Sequence, residues 1–275
     1  CPTAMLLHEG RVVERSIKEG PWWAVPKKVY KDSYLGTFFL ALMIYLHKRL
    51  GTWNKSVDMF IALTEFSKTI FIKYGIHEDR LKVKPNFIEE SPAIESKEIP
   101  LSVPKDFILY VGRLSEEKGI ATMAEAWKKI SIPLVVCGSG VGEEILNKNN
   151  NIILLGRQDE WCIRQLMKRA VCIVIPSIWY EGFPMTLLEA MESGCPVIAS
   201  NIGSLAELVE NNSTGILVDP GSIDSLLDAV NSVATDDAFR SKLSENSYKK
   251  YLKFYTKERN YKFLMSIYAD AIEAR

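Results

Sequence analysis

The sequence predicts an α/β protein whose larger part is a doubly wound parallel sheet. Six short apolar runs, rich in β-branched residues, occur between Pro104 and Asp219. Each run is continuous rather than alternating, as expected of strands that helices cover on both faces. Helical stretches separate the runs, and strict alternation of strand and helix indicates parallel strands joined by crossover helices.

The elements of this sheet can be assigned in order. Predicted strands occupy residues 107–112, 133–138, 151–156, 171–177, 196–200 and 215–219. Predicted helices lie between them near residues 119–130, 141–148, 160–169, 185–193 and 204–210, and three more follow at 222–235, 237–251 and 257–274. Because ligands of such sheets bind beyond the carboxyl ends of the strands, we expect functional residues in the loops that follow each strand.

The residues before Pro104 show a weaker α/β pattern, with a helix near 33–50, a strand at 59–64, a helix at 66–74 and a strand at 81–86. Residues 89–104 contain three prolines and no periodicity, which predicts an interdomain linker. The predicted organisation is a partial N-terminal lobe with its linker (1–100), a complete α/β domain (101–256) and a terminal helix (257–275). Because the chain begins with Cys1 rather than methionine, we also expect a fragment or a processed product.

Composition favours an ordinary globular protein, with 47% hydrophobic and 25% charged residues. The net charge of zero argues against attraction to nucleic acid. Residues 1–85 are basic, with 14 Lys and Arg against 8 Asp and Glu. Such a segment suits a phosphate-bearing partner or an anionic membrane surface, although a solvated face is the more common explanation.

The five cysteines are odd in number and form no C-x-x-C pair. This argues against a disulfide framework and a zinc site, and for a reducing, cytoplasmic compartment. No signal peptide is evident. The longest apolar stretch, residues 34–46, is too short for a membrane-spanning helix, which needs about 20 residues. We predict a buried core helix there; an amphipathic helix at the inner membrane face is the alternative.

Three loops after predicted strands carry candidate ligand-binding residues. Arg113 and Lys118 bracket the turn into a helix and are suited to a diphosphate, unless Glu116 and Glu117 merely neutralise them. Gly138 begins "GSGVGEE", which lacks the third glycine of a dinucleotide fingerprint; its glycines indicate close backbone approach to a ligand or to a neighbouring element. Arg157 follows the next strand and is equally compatible with a nucleobase contact and an exposed turn.

The stretch "WYEGFPMTLLEAMESGCPVIAS" (179–200) is the most informative. Pro184 suits the first helical position, after which the free N–H groups of residues 185–187 would cradle an anion. Glu181 precedes this helix and Glu189 lies one turn into it. Both carboxylates suit hydroxyl groups, and two hydroxyl-binding acids around a phosphate cradle match a sugar, a diphosphate and a ribose. The alternative is that both acids are structural, one at the helix dipole and one on a solvated face.

At these residues the sequence resembles the family 4 retaining glycosyltransferases of the GT-B fold, which share an E-x7-E motif. Four stretches carry the resemblance in the family's order, from residue 107 to 222: "YVGRLSEEKGI", "VVCGSGVGEE", "PSIWYEGFPMTLLEAMESGCPVIAS" and "GSLAELVENNSTGILVDPGS". Residues 56–89 resemble only the later half of the family's N-terminal lobe. The last helix resembles the one that packs back on that lobe.

The resemblance implies a role for each site residue. Arg113 and Lys118 would hold the nucleotide diphosphate, Glu181 the transferred sugar and Glu189 the ribose. Donor contacts would also come from the following residues: Gly112, Gly138, Arg157, Gly182, Phe183, Pro184, Met185 and Thr186. Where the family usually has a Gly-Leu-like pair after E-G-F, this chain has Pro184 and Met185.

The implied activity is transfer of a sugar, with retention, from a UDP-, GDP- or ADP-sugar to a carbohydrate or lipid-linked acceptor. No cofactor or metal is expected, and electrostatic stabilisation of the leaving diphosphate would be the main contribution of the protein. Because part of the N-terminal lobe has no counterpart here, a non-catalytic sugar-nucleotide binding module is the alternative. A nicotinamide or flavin oxidoreductase is disfavoured, since it would leave Glu181 and Glu189 unexplained.

Overall fold

The computed structural model describes residues 7–8, 11–12, 19–89 and 103–273. Tertiary contacts divide the chain into two compact units, one of residues 1–85 with 262–275 and one of residues 86–261. Most of the predicted linker, residues 90–102, lies outside the described residues.

The first unit contains two small sheets. Strands β1 (Leu7–His8) and β2 (Arg11–Val12) pair antiparallel. Strands β3 (Phe60–Ala62) and β4 (Leu81–Val83) pair in parallel. The helices of this part of the unit are α1 (Tyr34–Leu50), α2 (Thr52–Ser56) and α3 (Glu65–Lys73).

Helix α1 has clear sequence signals at both ends. The Ser33 hydroxyl accepts a hydrogen bond from the Gly36 N–H at its start, and Gly51 ends it with φ 64° in the left-handed region that favours glycine. Thr37 and Ala41 are both buried, and Ala41 forms a small apolar cluster with Ala24.

The prediction that residues 34–46 form a buried core helix was wrong. Leu35 is 72% exposed and Phe39 64% exposed, and Phe38, Met43 and Leu46 are exposed as well. The physical reason is that α1 packs through the line of Thr37 and Ala41, whereas the richer apolar stripe lies on its other side. Phe38 contacts Trp22, whereas Leu35, Phe39 and Leu46 form a stripe that is largely exposed among the described residues.

The second unit is built on one six-stranded sheet. Its strands are β5 (Ile108–Val111), β6 (Leu134–Cys137), β7 (Ile152–Gly156), β8 (Cys172–Ile175), β9 (Val197–Ser200) and β10 (Ile216–Val218). The order across the sheet is β10-β9-β8-β5-β6-β7, and all the pairs are parallel. The prediction of a doubly wound parallel sheet is confirmed.

Helices connect and follow these strands. They are α4 (Ile120–Ala126), α5 (Glu143–Leu146), α6 (Glu160–Arg169), α7 (Met185–Glu192), α8 (Gly203–Leu208), α9 (Ile223–Thr235), α10 (Asp237–Phe254) and α11 (Lys257–Glu273). The end of α11 belongs to the first unit, where Asp270 Oδ2 lies 2.7 Å from Lys82 Nζ.

The core of the second unit follows from its apolar strands. Strands β5, β6, β8 and β9 are buried almost throughout, as expected for a sheet covered on both faces. Cys137 and Cys172 are free thiols that are buried in this core. Burial raises the pKa of Cys137 to about 12, which leaves it a small apolar residue without thiolate reactivity.

Candidate functional site

The candidate site lies where the strand order reverses. In chain order the strands run outward from β5 to β7 on one side, and from β8 to β10 on the other. The loops after β5 and β8 therefore diverge and leave a crevice at the carboxyl edge of the sheet, the usual ligand position in such folds. The first of these loops carries Arg113 and Lys118, and the second carries Glu181.

Lys118 and Glu181 form an ion pair across this crevice. The Nζ atom of Lys118 lies 2.6 Å from Glu181 Oε1, and both side chains are largely shielded from solvent. Ser177 donates its hydroxyl to the same oxygen at 2.6 Å. The structure thus joins two sequence-predicted residues that are far apart in the chain. It also adds Ser177, which the sequence analysis did not single out although it stands in the quoted motif.

The backbone brings these loops together through Gly119. Its φ of 74° is left-handed, and a Cβ added there would lie 1.9 Å from the carbonyl oxygen of Pro176. The N–H of Ile178 donates to the carbonyl of Glu117 at 3.0 Å. Only glycine fits this contact, which holds Lys118 beside Glu181. The spacing of residues within one loop does not reveal a contact with a second loop, and the sequence analysis therefore missed Gly119 as a site residue.

Arg113 remains available to a ligand. Its side chain is 76% exposed, and its Nη2 lies 3.4 Å from Glu117 Oε1, a weak contact. Burial alone would raise the pKa of Glu117. The hydrogen bond from the Ser115 hydroxyl, 2.6 Å away, and nearby positive charge outweigh burial, so the pKa of Glu117 is lowered. The alternative considered from sequence, that Glu116 and Glu117 neutralise both cations, is observed in part: Glu117 contacts Arg113, whereas Lys118 pairs with Glu181.

The glycines after β6 allow two loops to touch. A Cβ on Gly138 would lie 1.8 Å from the carbonyl oxygen of Gly112, and one on Gly140 would lie 2.5 Å from that of Leu114. The N–H of Gly140 donates to the carboxylate of Glu143, the residue that replaces the third glycine of the fingerprint. Of the two interpretations offered by the sequence, close approach to a neighbouring element is observed.

Arg157 lies at the same edge of the sheet. It follows β7, and its Nε donates to the hydroxyl of Ser139 at 2.9 Å, which joins the loops after β6 and β7. The guanidinium is otherwise on the surface. This placement is compatible with the nucleobase contact inferred from sequence.

The start of α7 differs from the prediction in two respects. Pro184 is the N-cap, with extended backbone (φ −68°, ψ 119°), so Met185 rather than Pro184 is the first helical residue. The N–H of Leu187 donates to the Pro184 carbonyl at 3.1 Å and is not free for an anion. Among the described residues, no acceptor faces the N–H groups of Met185 and Thr186, which leaves two donors at the crevice instead of three.

The loop before α7 is anchored on one side and open on the other. Phe183 is buried and packs edge-on against Tyr255, with ring centroids 5.8 Å apart. A Cβ on Gly182 would meet no atom within 4 Å, so space is open beside this backbone. The Met185 side chain is exposed at the helix start.

Glu189 lies one turn into α7, as predicted, and is half-buried. Burial raises the pKa of its carboxyl; Arg164 opposes this shift, whereas Glu160 and Glu192 add to it. Within the described part of the chain its carboxylate has no hydrogen bond to a protein donor. A half-buried carboxylate without a protein donor is suited to the hydroxyl groups of a ligand.

The described residues contain neither a metal-binding cluster nor a membrane-spanning helix. No group of three or more His, Cys, Asp or Glu side chains is placed to hold a metal ion in that part of the chain. None of its helices combines the length and the apolar character needed to cross a bilayer.

Known proteins share both this sequence and this fold. Residues 93–250, more than half of the chain, match the family described as glycosyl transferases group 1. An uncharacterised glycosyltransferase of Methanocaldococcus jannaschii is 30% identical over 258 residues, covering 90% of this chain and 64% of that protein. The UDP-Gal:alpha-D-GlcNAc-diphosphoundecaprenol alpha-1,3-galactosyltransferase of Escherichia coli is 30% identical over 243 residues, covering 79% and 62%.

Among solved structures, HepE of Anabaena in complex with UDP and glucose superposes with a TM-score of 0.68 at 24% identity, covering 82% of this chain and 66% of that chain. This likeness shows the GT-B fold. The chain spans less than two thirds of the length of the two sequence relatives. The family match covers most of the second unit. The chain therefore belongs to the glycosyl transferases group 1 family.

Proposed function

We propose that the chain is the donor-binding part of a family 4 retaining glycosyltransferase, which moves a sugar from a nucleoside diphosphate sugar to an acceptor hydroxyl. One observation carries the proposal. Lys118 and Ser177 both bond to Glu181 at the switch point of the sheet, where the strand order reverses, beside the start of α7. Family membership supports a transferase.

The diphosphate would lie between two sources of positive charge. Arg113 is exposed and weakly engaged, and the N–H groups of Met185 and Thr186 face the crevice at the positive end of α7. Lys118 is paired with Glu181. It would therefore orient the Glu181 carboxylate and also form part of the diphosphate pocket. Stabilising the charge that develops on the leaving diphosphate would be the main catalytic contribution, without a metal.

The two acids would hold the two ends of the donor. Glu181 is fixed through one oxygen, Oε1, by Lys118 and Ser177, which leaves its other oxygen to accept from a sugar hydroxyl. Glu189 receives no hydrogen bond from a donor in the described part of the chain and would accept from the ribose hydroxyls. The open space beside Gly182 would admit the sugar and phosphate. Retention would follow if the acceptor approaches on the face that the diphosphate leaves.

The donor would be a UDP-, GDP- or ADP-sugar, and the acceptor a carbohydrate or a lipid-linked sugar. The E. coli relative is by its name a UDP-Gal enzyme acting on a diphosphoundecaprenol acceptor, and the HepE structure contains UDP and glucose. Arg157, at the edge of the sheet, would lie beside the base. In the cell, we propose that the chain acts in glycoconjugate synthesis in the cytoplasm.

The binding residues can be tested by thermal denaturation with UDP-, GDP- and ADP-sugars. A ligand at 100 times its Kd should stabilise the chain by about 2.7 kcal/mol. We expect one nucleotide class to raise Tm, and Glu189→Ala to remove the rise. The matched control is Glu245→Ala, an exposed acid that pairs with Lys249 on α10. No rise with any donor would contradict the proposal.

Catalysis needs a separate test, because a binding module without transfer is the alternative. Release of nucleoside diphosphate should be measured with the responding donor and a panel of sugar and lipid-linked acceptors. Acceptor-dependent release, with an α-linked product from an α-linked donor, is expected of a retaining transferase. Donor binding with no release on any acceptor would favour the binding module.

We also propose peripheral contact with an anionic membrane through α1. The exposed stripe of Leu35, Phe39 and Leu46 is neighboured in sequence by six basic residues and one acidic residue between Pro21 and Ser56: Lys27, Lys28, Lys31, Lys48, Arg49 and Lys55, against Asp32. Apolar side chains with flanking cations suit the interface of an anionic bilayer.

Vesicle sedimentation tests this contact. The chain should sediment with vesicles containing phosphatidylglycerol and less with phosphatidylcholine alone, and Phe39→Asp should abolish sedimentation. Leu252→Asp, at a partly exposed apolar residue of α10, is the control that should sediment normally. If the Phe39 variant sediments as wild type does, membrane contact through α1 is refuted. If the stripe instead mediates self-association, the chain will form an oligomer that Phe39→Asp disrupts.

A further inference from the structure

Arg164 is a buried arginine with an unusual number of partners. It lies on α6 and is only 4% exposed. Its Nη1 donates to Glu192 Oε2 at 2.7 Å, and its Nε and Nη2 donate to Glu160 Oε1 at 3.2 and 3.0 Å. Nη2 also donates to the carbonyl of Glu89 at 3.1 Å. One guanidinium therefore bonds two carboxylates and a backbone carbonyl, a geometry that lysine cannot reproduce.

These contacts surround the unpartnered acid of the candidate site. Glu189 and Glu192 are three residues apart on α7 and so share one face of that helix. Glu160 and Arg164 face them from α6, and helices α6 and α7 pack together through this charged cluster. Of the four groups, Arg164 alone is cationic.

We infer that Arg164 is a positioning residue for the ribose: it holds Glu192 away from Glu189 and supplies the positive charge that keeps the Glu189 carboxylate ready to accept ribose hydroxyls. This inference rests on the proposed donor site. An ionised carboxylate accepts from two hydroxyls, whereas a protonated one becomes partly a donor. With Arg164 removed, Glu189 would be left among the negative charges of Glu160 and Glu192.

Arg164 could instead act only as a structural clamp between α6 and α7. A clamp alone would change stability and would weaken donor binding by the same factor at every pH. The positioning role makes two different demands. The loss on removing Arg164 must grow as the pH falls, since Glu189 then protonates sooner, and it must depend on the ribose hydroxyls.

The experiment compares wild type, Arg164→Lys and Arg164→Gln by calorimetry between pH 5.5 and 8.5. The ligands are UDP-, GDP- and ADP-glucose, whose bridging diphosphate has no proton to lose in this range. We expect Arg164→Gln to weaken binding roughly tenfold near pH 6 and less than about threefold at pH 8. Arg164→Lys, which keeps the charge, should retain the wild-type pH profile.

A second ligand and a second variant complete the design. The 2′,3′-dideoxyribose analogue of the best ligand should bind wild type and Arg164→Gln with equal affinity and no pH-dependent difference. If Arg164→Gln does not fold, Arg164→Met/Glu192→Met removes both members of the buried pair, a change proteins often tolerate. Its binding should still weaken more at acidic pH than that of wild type.

The outcomes separate the inference from the proposed function. Failure of wild type to bind any of the three ligands would refute the donor site itself. Normal wild-type binding with a pH-independent loss in Arg164→Gln, or the same loss with the dideoxy analogue, would show that Arg164 is a clamp and would overturn the inference.

Discussion

Gly119 and Pro176 meet backbone to backbone, and this contact places Lys118 beside Glu181. Lys118 and Glu181 come from the loops after β5 and β8, which flank the switch point of the sheet. Because a Cβ on Gly119 would lie 1.9 Å from the Pro176 carbonyl oxygen, and because its φ is 74°, no other residue fits without moving one of the loops.

Gly119→Ala should lower the free energy of unfolding by at least about 2 kcal/mol, since one loop must shift and the alanine takes a left-handed backbone. Urea unfolding measures the loss. Gly182→Ala is the matched change, because its Cβ meets no atom within 4 Å, and it should leave stability within about 0.5 kcal/mol. Equal stability of the two variants would contradict the role given to Gly119.

Gly182→Ala should nevertheless impair donor binding. Its added methyl group would enter the open space where the proposed sugar and phosphate lie against the backbone. We expect the affinity for the donor to fall at least tenfold in calorimetry while Tm without ligand is unchanged. Gly221→Ala, at an exposed turn outside the crevice, should not change affinity, and unchanged affinity in Gly182→Ala would remove this backbone from the site.

The Lys118–Glu181 pair should also contribute to stability. Lys118→Met leaves a shielded carboxylate whose remaining donor, among the described residues, is Ser177, and should cost about 1–3 kcal/mol in urea unfolding. Lys249→Met breaks an exposed pair of similar length with Glu245 and should cost less than about 0.5 kcal/mol. A similar cost for both would mean that the crevice does not shield its ion pair.

The raised pKa of Glu189 predicts that its carboxylate, the proposed ribose ligand, lowers the stability of the fold at neutral pH. Because the folded state holds the Glu189 proton more tightly than the unfolded state, this group favours folding at low pH. That contribution is lost as the pH rises through the folded pKa. Glu189→Gln should therefore be more stable than wild type at pH 8, and the difference should shrink towards pH 5. Urea midpoints across this range measure it.

Glu245→Gln is the control of opposite sign, since the hydrogen bond from Lys249 lowers the Glu245 pKa. It should not be more stable than wild type at pH 8. A Glu189→Gln variant that is less stable than wild type at pH 8 would contradict the burial of an unpartnered carboxylate at this position.

Local patterns were sufficient to predict most of the fold. The strands at 107–112 and 171–177, and the helix that carries Glu189, are specified by apolar runs and by turn residues that lie within each segment. Parallel order follows from their alternation. Pro184 was predicted at the first helical position but is the N-cap. Both positions accept proline, and they differ only in the backbone angle ψ.

Other features depend on contacts that are distant in sequence. The partner of Lys118 is 63 residues away, and only the strand order brings it near. Arg164 stands in an ordinary amphipathic helix, so its burial between Glu160 and Glu192 was not foreseen. The apolar stretch of α1 was assigned to a core because hydrophobicity indicates a tendency to be covered, but not what covers it.

We propose that Glu181 and Glu189 hold opposite ends of one nucleoside diphosphate sugar. Calorimetry of wild type, Glu181→Gln and Glu189→Gln with the best donor and with the matching nucleoside diphosphate tests this directly. We predict that Glu181→Gln loses affinity for the sugar nucleotide but binds the nucleoside diphosphate normally, whereas Glu189→Gln loses affinity for both. If each variant weakens the two ligands by the same factor, or neither variant weakens binding, the assignment of the two acids is wrong.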